Sequence, residues 1–385
     1  MKVLFLDSPA FAKQDMIDAF EECHIHCDLF FHPDYNLRRS EEYSNAFDVA
    51  VSSENYDFAF SFNYYPVLST CCQRHQLKYV SYVYDSPLVA LYSCTLINSC
   101  NYIFLFDKTT YLTFKNAGIP TVYYLPLAAN VKRLLSLKCP ADLKKVLSTD
   151  ISFVGSLYNE EHNFFERLEG LSDYTTGYLD AIMSAQQKTY GQFFLEEILT
   201  PSILEDMEKA VPYSPMSDGI ESNAYVYANY FLCRKITSNE RITLLKNISE
   251  NFSLNLFTHQ PSNELPNANF MGTVDYYDMM PLVFQNSRIN LNITLKSIYS
   301  GIPLRCMDIL GSGSFLLSNF QADFLDFFTP GEDFAFYESE NDLMNKIHYY
   351  LTHEKERQQI VQNASEKMLE QHTFVHRVMS ILNLL

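Results

Sequence analysis

Residues 287–319, SRINLNITLKSIYSGIPLRCMDILGSGSFLLSN, contain the pattern that decides the fold. Residues 289–294 are apolar and include β-branched side chains, which predicts a buried strand. The polar segment after them ends in SGIP at 300–303, which is typical of a helix start with proline in the first turn. The predicted helix at 304–310 stops at a Gly-Ser-Gly sequence, and 315–317 predicts the next buried strand.

This order of strand, helix and strand places a helix N-terminus at the carboxyl end of a buried strand. In open α/β sheets, ligands bind at the carboxyl ends of the strands, and the unpaired N–H groups of a helix N-terminus bind phosphate. We therefore expect an anionic ligand to bind around residues 300–303.

The first 130 residues repeat short apolar segments separated by helix-length spacers. This alternation predicts a parallel sheet covered by helices on both faces. Polar residues directly follow two of the predicted strands, with Asn63 and Tyr64 after the third and Asp85 after the fourth. We expect these side chains to line one crevice at the carboxyl edge of the sheet. The predicted strands are residues 2–7, 26–31, 56–61, 78–84, 102–106 and 121–125.

A second α/β series begins at residue 151, after a Lys-rich, Pro-containing stretch at 131–150 that we interpret as a linker. Residues 163–241 show only helical periodicity, which predicts a helical insertion in the second domain. The predicted fold class is α/β, with two Rossmann-like domains at 1–130 and 151–365 facing each other across a cleft and a C-terminal helix at 366–385. The strands predicted for the second domain are 151–154, 253–258, 268–271, 289–294, 315–317 and 334–337.

The composition fits a soluble globular protein with two cores, since 385 residues exceed one ordinary core and 47% of them are apolar. A net charge of −18 without a Lys/Arg-rich run argues against nucleic acid as a partner. The chain has no long apolar run, and its start lacks a signal-peptide pattern, so we expect a cytoplasmic protein without integral membrane association. The nine scattered cysteines predict reduced thiols.

Several motifs, taken in order, resemble the CgeB-like family of bacterial glycosyltransferases. They are VYDSP at 83–87, YIFLFDK at 102–108, YYLPLAAN at 123–130, FVGSLYNE at 153–160, the stretch from 287 to 320, and HTFVHRV at 372–378. The resemblance covers nearly the whole chain and is more specific for fold and general class than for donor or acceptor. It implies the GT-B fold, with a C-terminal domain like that of the family 1 and family 4 glycosyltransferases.

The resemblance also implies an activity. It implies hexosyl or N-acetylhexosaminyl transfer from a nucleoside diphosphate sugar, with UDP favoured, to a hydroxyl of a protein or glycan. The C-terminal domain would hold the donor, the acceptor would enter from the N-terminal side, and no metal cofactor is expected. Related enzymes use an acid-x7-acid motif, in which Asp308 takes the second position and Ser300 replaces the first acid. Retention of the anomeric configuration is favoured, with the donor phosphate as base.

Candidate contacts to the donor diphosphate surround the predicted helix start. The backbone N–H groups of Gly301 and Ile302 could hold the pyrophosphate, beside Ser300. Arg305 and Lys296 could neutralise the charge that grows on the leaving diphosphate, which makes Arg305 a catalytic candidate. The alternative is that Arg305 pairs with a neighbouring carboxylate and that Lys296 is solvated.

Other donor contacts are predicted from position along the chain. Asp308 would bind the ribose hydroxyls, although an ion pair with Arg305 one turn away is an alternative. Gly155 and Ser156 follow the first strand of the second domain and could bind phosphate or simply form a tight turn. His259, Thr273 and Val274 follow later strands of the same domain, where we expect the nucleobase.

On the acceptor side, Asn63, Tyr64 and Asp85 are the candidates. Asp85 ends a strand and precedes Ser86-Pro87, so its carboxylate could contact the acceptor hydroxyl and act as its general base if transfer inverts the anomeric carbon. The alternative is a helix N-cap after Pro87. The sequence CHIHC at 23–27 does not predict a metal site, because alternation along a strand places its polar residues on opposite faces.

Two other functions fit the same sequence. One is a nucleotide-sugar epimerase or hydrolase with this fold, which would need no acceptor. The other is a non-catalytic nucleotide-sugar-binding protein, which the serine at position 300 makes credible.

Overall fold

The computed structural model describes residues 1–160 and 163–385. The chain divides into two compact units, each with one six-stranded sheet. Unit 1 comprises Met1–Ala129, Pro215–Ser222 and His372–Leu385, and unit 2 comprises Asn130–Ser214 and Asn223–Gln371. Every strand pairing within the two sheets is parallel, which confirms the predicted α/β class.

The strands follow the predicted order along the chain. They are β1 Lys2–Leu6, β2 His26–Phe30, β3 Phe58–Phe62, β4 Lys78–Val83, β5 Asn101–Leu105, β6 Val122–Tyr124, β7 Thr149–Val154, β8 Leu254–Phe257, β9 Asn269–Phe270, β10 Ser287–Asn292, β11 Leu316–Asn319 and β12 Ala335–Tyr337. Each predicted strand is present, with ends shifted by a few residues at most.

The α-helices occupy most of the spacers between strands. They are α1 Lys13–Glu22, α2 Glu41–Ser53, α3 Pro66–His75, α4 Lys108–Asn116, α5 Val131–Ser136, α6 Ala141–Leu147, α7 Asp173–Gln187, α8 Leu195–Ile198, α9 Pro201–Ala210, α10 Asn223–Val226, α11 Cys233–Asn251, α12 Met280–Gln285, α13 Leu304–Gly311, α14 Glu340–Thr352, α15 Glu354–Gln371 and α16 Phe374–Leu382. A π-helix, Tyr227–Leu232, precedes α11, and 3-10 helices cover Pro33–Asn36, Val89–Tyr92, Cys94–Ile97, Phe165–Arg167 and Ala322–Asp326.

The sheet of unit 1 has the strand order β2-β1-β3-β4-β5-β6. Strands β1, β3 and β4 are almost wholly buried because helices cover both faces of the sheet, which explains their mostly apolar sequences. Aromatic rings fill one face, where the Phe5 and Phe60 centroids lie 4.9 Å apart and Phe20 packs edge-on at 5.2 Å from Phe60. This packing holds the carboxyl ends of β3 and β4 side by side.

Two segments distant in sequence complete unit 1. Arg377 in α16 is buried and donates to the backbone carbonyls of Pro126 at 2.7 Å and Leu127 at 3.0 Å. The segment 215–222 pairs through Gly219 with Ser93, and its Asp218 forms an ion pair with Arg38 at 3.3 Å. The sequence placed these segments in a separate C-terminal helix and in the helical insertion of the second domain, since local periodicity carries no signal for such long-range contacts.

The stretch predicted as a linker, residues 131–150, is not unstructured. It contains α5 and α6 and the start of β7, and it belongs to unit 2. Leu134 and Leu147 are buried, which gives both helices an apolar side to pack. The polar and lysine-rich character of this stretch reflects the exposed sides of two short helices.

The sheet of unit 2 has the order β12-β11-β10-β7-β8-β9. Strand order reverses between β7 and β10, so these neighbours form the topological switch point of an open α/β sheet. The helix α11 crosses from β7 to β8, and α13 crosses from β10 to β11. Both helices therefore begin at the carboxyl edge of the sheet, beside the switch point.

The helix α13 begins at Leu304, as the sequence predicted, but Pro303 is not in its first turn. Pro303 is the N-cap residue, in extended conformation, and the first helical residue is Leu304. Cys306, Met307, Ile309 and Leu310 are buried, so the helix presents an apolar side to the sheet. Gly301 and Ile302 consequently lie in the loop before the helix, and not in its first turn.

Candidate functional site

The loop between β10 and α13, residues 293–303, lies at the switch point of unit 2. We call it the β10–α13 loop. Two of its carbonyls are bonded to the segment after β11, because Gln321 Nε2 donates to Gly301 O at 3.0 Å and the Asp323 N–H donates to Ser300 O at 3.0 Å. Within the described part of the chain, the N–H of Ile302 has no hydrogen-bond partner. The loop thus offers a backbone donor at the place where the sequence predicted an anion.

Arg305 lies in the first turn of α13 and is half-buried. Its guanidinium contacts the sulfur of Met280 and lies 5.8 Å from the ring centroid of Phe284. No carboxylate among residues 1–160 and 163–385 forms an ion pair with it, so the expected alternative of a neighbouring carboxylate is wrong. A half-buried, unneutralised arginine beside an open helix start is suited to binding an anionic group.

Asp308 lies one turn after Arg305 in α13, and both side chains contact the segment 276–284 of unit 2. Its carboxylate is buried and accepts a hydrogen bond from the Tyr276 hydroxyl at 3.0 Å. The intrahelical ion pair that was the alternative for Asp308 is not formed. Tyr276 therefore fixes the orientation of this carboxylate, and the sequence contained no signal for that contact.

Lys296 is not solvated, contrary to the alternative considered for it. Its side chain is only 9% exposed, and its ammonium lies 3.1 Å from the Glu240 carboxylate and 4.3 Å from the Tyr190 ring centroid. The Lys296 N–H also donates to the Thr237 hydroxyl at 3.1 Å. Because Glu240 already neutralises this charge, Lys296 is not available to pair with a phosphate. Lys296 instead anchors the β10–α13 loop to α11 through its contacts with Glu240 and Thr237.

Arg241 in α11 is a second anchor, and the sequence analysis missed it. Its guanidinium is buried and donates to the carbonyl of Ile293, after β10, and to that of Ser156, after β7. The ring centroids of Phe153 and Tyr158 lie 5.3 and 4.9 Å from it. Burial lowers the pKa of this guanidinium. One side chain therefore ties together the two loops that flank the switch point.

Gly155 and Ser156 form the tight turn that was the alternative to phosphate binding. The Ser156 hydroxyl donates to Glu160 at 2.7 Å and accepts from the Tyr158 N–H at 2.9 Å. A Cβ on Gly155 would lie 3.3 Å from the Phe153 ring, so the backbone here runs close to its neighbours. The Ser156 side chain is engaged within the turn, and only the backbone of this segment borders the switch point.

The residues predicted to surround a nucleobase follow β8 and β9, on the same carboxyl edge of the sheet. His259 and Thr273 are exposed, and Val274 is half-buried. Their accessibility leaves this edge open to a ligand.

In unit 1, Asn63 and Asp85 meet at the carboxyl ends of β3 and β4. Asn63 Nδ2 donates to the Asp85 carboxylate at 2.7 Å, while Asn63 Oδ1 accepts from the Asp85 N–H at 3.1 Å. Asn63 adopts a φ of 57°, a conformation that asparagine tolerates better than most residues. Burial raises the pKa of the Asp85 carboxyl, although the hydrogen bond from Asn63 acts in the opposite direction. Asp85 is therefore the titratable group of this pair on the predicted acceptor side.

Tyr64 was predicted at the acceptor side, and the structure corrects this. Its ring is completely buried, its hydroxyl lies 2.8 Å from the Thr95 hydroxyl, and burial raises its pKa to about 12. Tyr64 is a core residue because the turn after Asn63 directs the chain back under the sheet. The alternative role for Asp85, an N-cap, does not apply either, since the next element is a 3-10 helix capped at Leu88.

Two further findings concern metal ligands and membrane spans among the described residues. In the described chain, no three His, Cys, Asp or Glu side chains are placed to hold a metal ion. None of the described helices combines the length and apolar character needed to cross a membrane.

Comparison with known proteins supports the assignment of the fold. A sucrose-phosphate synthase from Thermosynechococcus elongatus matches with a TM-score of 0.55 and 11% identity, over 100% of this chain and 98% of the other. The Anabaena protein HepE in complex with UDP-glucose matches with a TM-score of 0.55 and 11% identity over 100% of both chains. The chain has the GT-B fold.

Other comparisons add to this result. A glycosyltransferase from Rickettsia africae matches this chain with a TM-score of 0.51 and 9% identity, over 100% of this chain and 96% of the other. The sequence model of a family described as "Glycosyl transferase-like" matches residues 233–383, which include Arg241, Arg305 and Asp308. No curated protein sequence matches the chain.

Proposed function

We propose that this GT-B protein is a glycosyltransferase of the CgeB-like family that moves a hexosyl or N-acetylhexosaminyl group from a nucleoside diphosphate sugar to a hydroxyl of a protein or glycan. The observation that carries the proposal is the unneutralised Arg305 beside the open Ile302 N–H at the switch point of unit 2. UDP is the proposed nucleotide, and HepE, which shares the fold, was solved in complex with UDP-glucose. The proposed location is the cytoplasm.

The donor would lie at the carboxyl edge of unit 2. Arg305 and the Ile302 N–H stabilise the negative charge that develops on the diphosphate as the glycosidic bond breaks, and this stabilisation is strong in a half-buried site. Asp308, oriented by Tyr276, binds the ribose hydroxyls. His259, Thr273 and Val274 border the nucleobase. Because positive charge and backbone donors already serve the diphosphate, we propose that transfer needs no bound metal.

The acceptor hydroxyl would contact Asp85 in unit 1. We propose transfer with retention, in which a phosphate oxygen of the donor takes the acceptor proton and Asp85 orients the hydroxyl. An inverting course would give the proton to Asp85, whose raised pKa suits a general base. The two courses differ in the anomeric configuration of the product.

Replacing Arg305 by alanine is expected to weaken UDP binding at least about tenfold, because a charge-assisted contact to phosphate is lost. Titration calorimetry with UDP, ADP and GDP measures the effect and the nucleotide preference. Arg39→Ala removes an exposed arginine of unit 1 and is the control, with no change expected. Equal UDP affinity in Arg305→Ala and the unaltered protein would remove Arg305 from the site.

Asp85→Asn is expected to raise stability at neutral pH while reducing transfer. The folded protein binds the Asp85 proton more tightly than the unfolded chain, so this group stabilises the fold below its ordinary pKa of 3.8 and loses that contribution as the pH rises through the folded value. Asparagine cannot ionise and keeps the bond to Asn63, so a gain of about 0.5–2 kcal/mol is expected at pH 7. Thermal unfolding at several pH values measures this gain, which should shrink towards acid pH.

The same variant tests the proposed course of transfer. Acceptor kcat/KM is expected to fall about ten- to hundredfold through loss of a hydrogen bond to a charged group, with UDP affinity unchanged. The product should keep the anomeric configuration of the donor. An inverted product, together with a loss of about 10²- to 10⁴-fold, would instead make Asp85 the general base. Wild-type kcat/KM would exclude Asp85 from both roles.

A non-catalytic binding protein is the second candidate function. Ser300 is buried where related enzymes carry an acid, and its carbonyl is bonded to the Asp323 N–H. Binding of UDP-sugars without turnover against pools of protein and glycan acceptors would favour this alternative.

A further inference from the structure

Residues 215–222 lie in the predicted helical insertion, yet they belong to unit 1, while the chain on both sides of them belongs to unit 2. We call this segment the strap. It pairs with the loop that joins β4 to β5, residues 84–100, which contains the proposed acceptor contact Asp85. Three backbone contacts join the two segments: Cys94 N–H to Asp218 O at 2.8 Å, Ile220 N–H to Tyr92 O at 2.9 Å, and the antiparallel bridge between Gly219 and Ser93.

Two carboxylates of the strap pair with one arginine of unit 1. The Arg38 guanidinium lies 3.3 Å from the Asp218 carboxylate and 3.5 Å from the Glu221 carboxylate, and these two acidic side chains are only 4% and 0% exposed. The Ser93 hydroxyl also donates to Asp218 at 2.6 Å. Burying a carboxylate is unfavourable unless it is paired and hydrogen-bonded. Arg38 therefore supplies the charge that offsets the burial of both side chains.

Arg38 also bonds to the β4–β5 loop itself. Its Nη2 donates to the Val89 carbonyl at 3.3 Å. Arg38 follows β2 along the chain and the loop follows β4, so this side chain ties the strap to two connections at the carboxyl edge of the sheet. A guanidinium suits this position, because its five N–H donors in a planar fork can serve two carboxylates and a carbonyl at once.

The two ends of the β4–β5 loop are bonded to strands of unit 1. At the start of the loop, Asn63 Oδ1 accepts from the N–H groups of Tyr84 at 3.2 Å and Asp85 at 3.1 Å. Near its end, Asn101 Nδ2 donates to the Thr95 carbonyl at 2.9 Å. The strap and Arg38 bond to the stretch between these ends, residues 89–94. The course of the loop after Asp85 therefore depends on contacts with a segment from within the insertion.

We infer that Arg38 is a positioning residue for the acceptor side, and that it holds the strap against the β4–β5 loop so that Asp85 keeps the place at which it meets the acceptor hydroxyl. This inference rests on the proposed contact between Asp85 and the acceptor. A loop that takes its binding position for only a fraction of the time weakens the apparent affinity by that fraction. Loss of the Arg38 charge should therefore weaken acceptor binding and leave UDP binding by unit 2 unchanged.

Hydrogen exchange followed by mass spectrometry tests the positioning without any ligand. In Arg38→Met, peptides that cover residues 86–94 and 215–222 are expected to exchange at least about tenfold faster, because two buried carboxylates lose the charge that pairs with them. Peptides from β1 and β3 should keep their exchange rates. Arg38→Lys keeps the charge without the planar fork and should be intermediate. Arg39→Met, at the exposed neighbouring position, is the control and should match the unaltered protein.

Transfer assays test the effect on the acceptor. They use UDP-glucose or UDP-N-acetylglucosamine as donor, with pools of protein and glycan acceptors. In Arg38→Met, the pool concentration that gives half the maximal rate is expected to rise about tenfold, while the maximal rate falls about threefold or less. UDP affinity, measured by calorimetry, should be unchanged. Arg38→Lys should recover part of the acceptor affinity, and Arg39→Met should behave as the unaltered protein.

Three results would overturn the inference while leaving the proposed function intact. The first is unchanged exchange of residues 86–94 and 215–222 in Arg38→Met. The second is equal acceleration in β1 and β3, because Arg38 would then stabilise unit 1 as a whole. The third is faster exchange of the loop with an unchanged half-maximal acceptor concentration, because the position of the loop would then not matter to the acceptor.

A second variant covers the case in which Arg38→Met does not fold. In Gly219→Ala, the added Cβ would lie 2.9 Å from Glu221 Oε1, so the carboxylate must move and its pairing with Arg38 is disturbed. Unchanged exchange of the strap and the loop in Gly219→Ala is contrary to the inference. If the unaltered protein neither binds UDP nor transfers sugar, the proposed function fails, and the exchange rates distinguish that failure from a failure of Arg38 to hold the strap.

Discussion

Replacing Glu240 by glutamine is expected to destabilise unit 2 by about 3–5 kcal/mol, because the buried ammonium of Lys296 loses its only compensating carboxylate among the described residues. The two side chains are 3% and 9% exposed, so water cannot replace the lost partner. The Tyr190 hydroxyl also donates to Glu240 at 2.7 Å, and the Tyr190 ring lies against the ammonium. One substitution therefore disturbs a buried cluster that anchors the β10–α13 loop to α11.

Urea unfolding measures this effect, and two further variants interpret it. The double variant Glu240→Gln with Lys296→Met should recover most of the loss, since an apolar side chain needs no counterion. Asp342→Asn is the matched control, because Asp342 pairs with Lys346 at 2.8 Å but both side chains are about one-third exposed. That control should cost about 0–1 kcal/mol. A loss in Glu240→Gln no larger than in Asp342→Asn would show that the ion pair is not buried in solution.

Arg241→Met is the second substitution with a large expected effect. It leaves the carbonyls of Ile293 and Ser156 without their donors inside the protein, at about 1–3 kcal/mol for each, so a total loss of about 2–6 kcal/mol is expected. Arg241→Lys should recover only part of it, because an ammonium cannot reproduce the planar fork that spans two loops. Lys246→Met, at an exposed position of the same helix, is the control and should stay within about 0.5 kcal/mol.

The Arg241 variants also separate stability from binding. The loops that Arg241 joins follow β7 and β10 and border the proposed diphosphate site, so UDP affinity should fall in the folded fraction of Arg241→Lys. Calorimetry at a temperature well below its unfolding midpoint measures this affinity. Unchanged UDP affinity would mean that the two loops keep their positions without Arg241, and that Arg241 contributes to stability alone.

Much of the architecture could be predicted from local patterns. The apolar segments predicted as strands at residues 56–61 and 289–294 correspond to the buried parallel strands Phe58–Phe62 and Ser287–Asn292. The start of helix α13 at Leu304 was predicted correctly, although Pro303 proved to be the N-cap and not a residue of the first turn. These features depend on backbone propensity and on periodicities of a few residues, and both are present in the sequence itself.

The candidate site was predicted less completely, since side chains meet there from distant parts of the chain. Arg305 could be named because it follows a recognisable helix start, and Asp85 because it ends a strand. The acceptor-side role predicted for Tyr64 was wrong. Asn63 has a left-handed backbone, which the local sequence did not indicate, and this backbone turns the Tyr64 side chain into the core. Arg241 was missed, since an arginine in a helical pattern is usually a surface residue.

The sequence by itself determined the α/β class, the order of strands and helices, and the strand ends at which a ligand could bind. Only the tertiary structure decided which charges there remain available. Lys296 and Arg305 are nine residues apart and equally basic, yet Glu240 neutralises the first, and none of the described carboxylates pairs with the second. The physical reason is that neutralisation depends on distances of a few ångströms between residues far apart in the chain. The packing of α11 against the strand ends sets those distances, and no local pattern in the sequence encodes them.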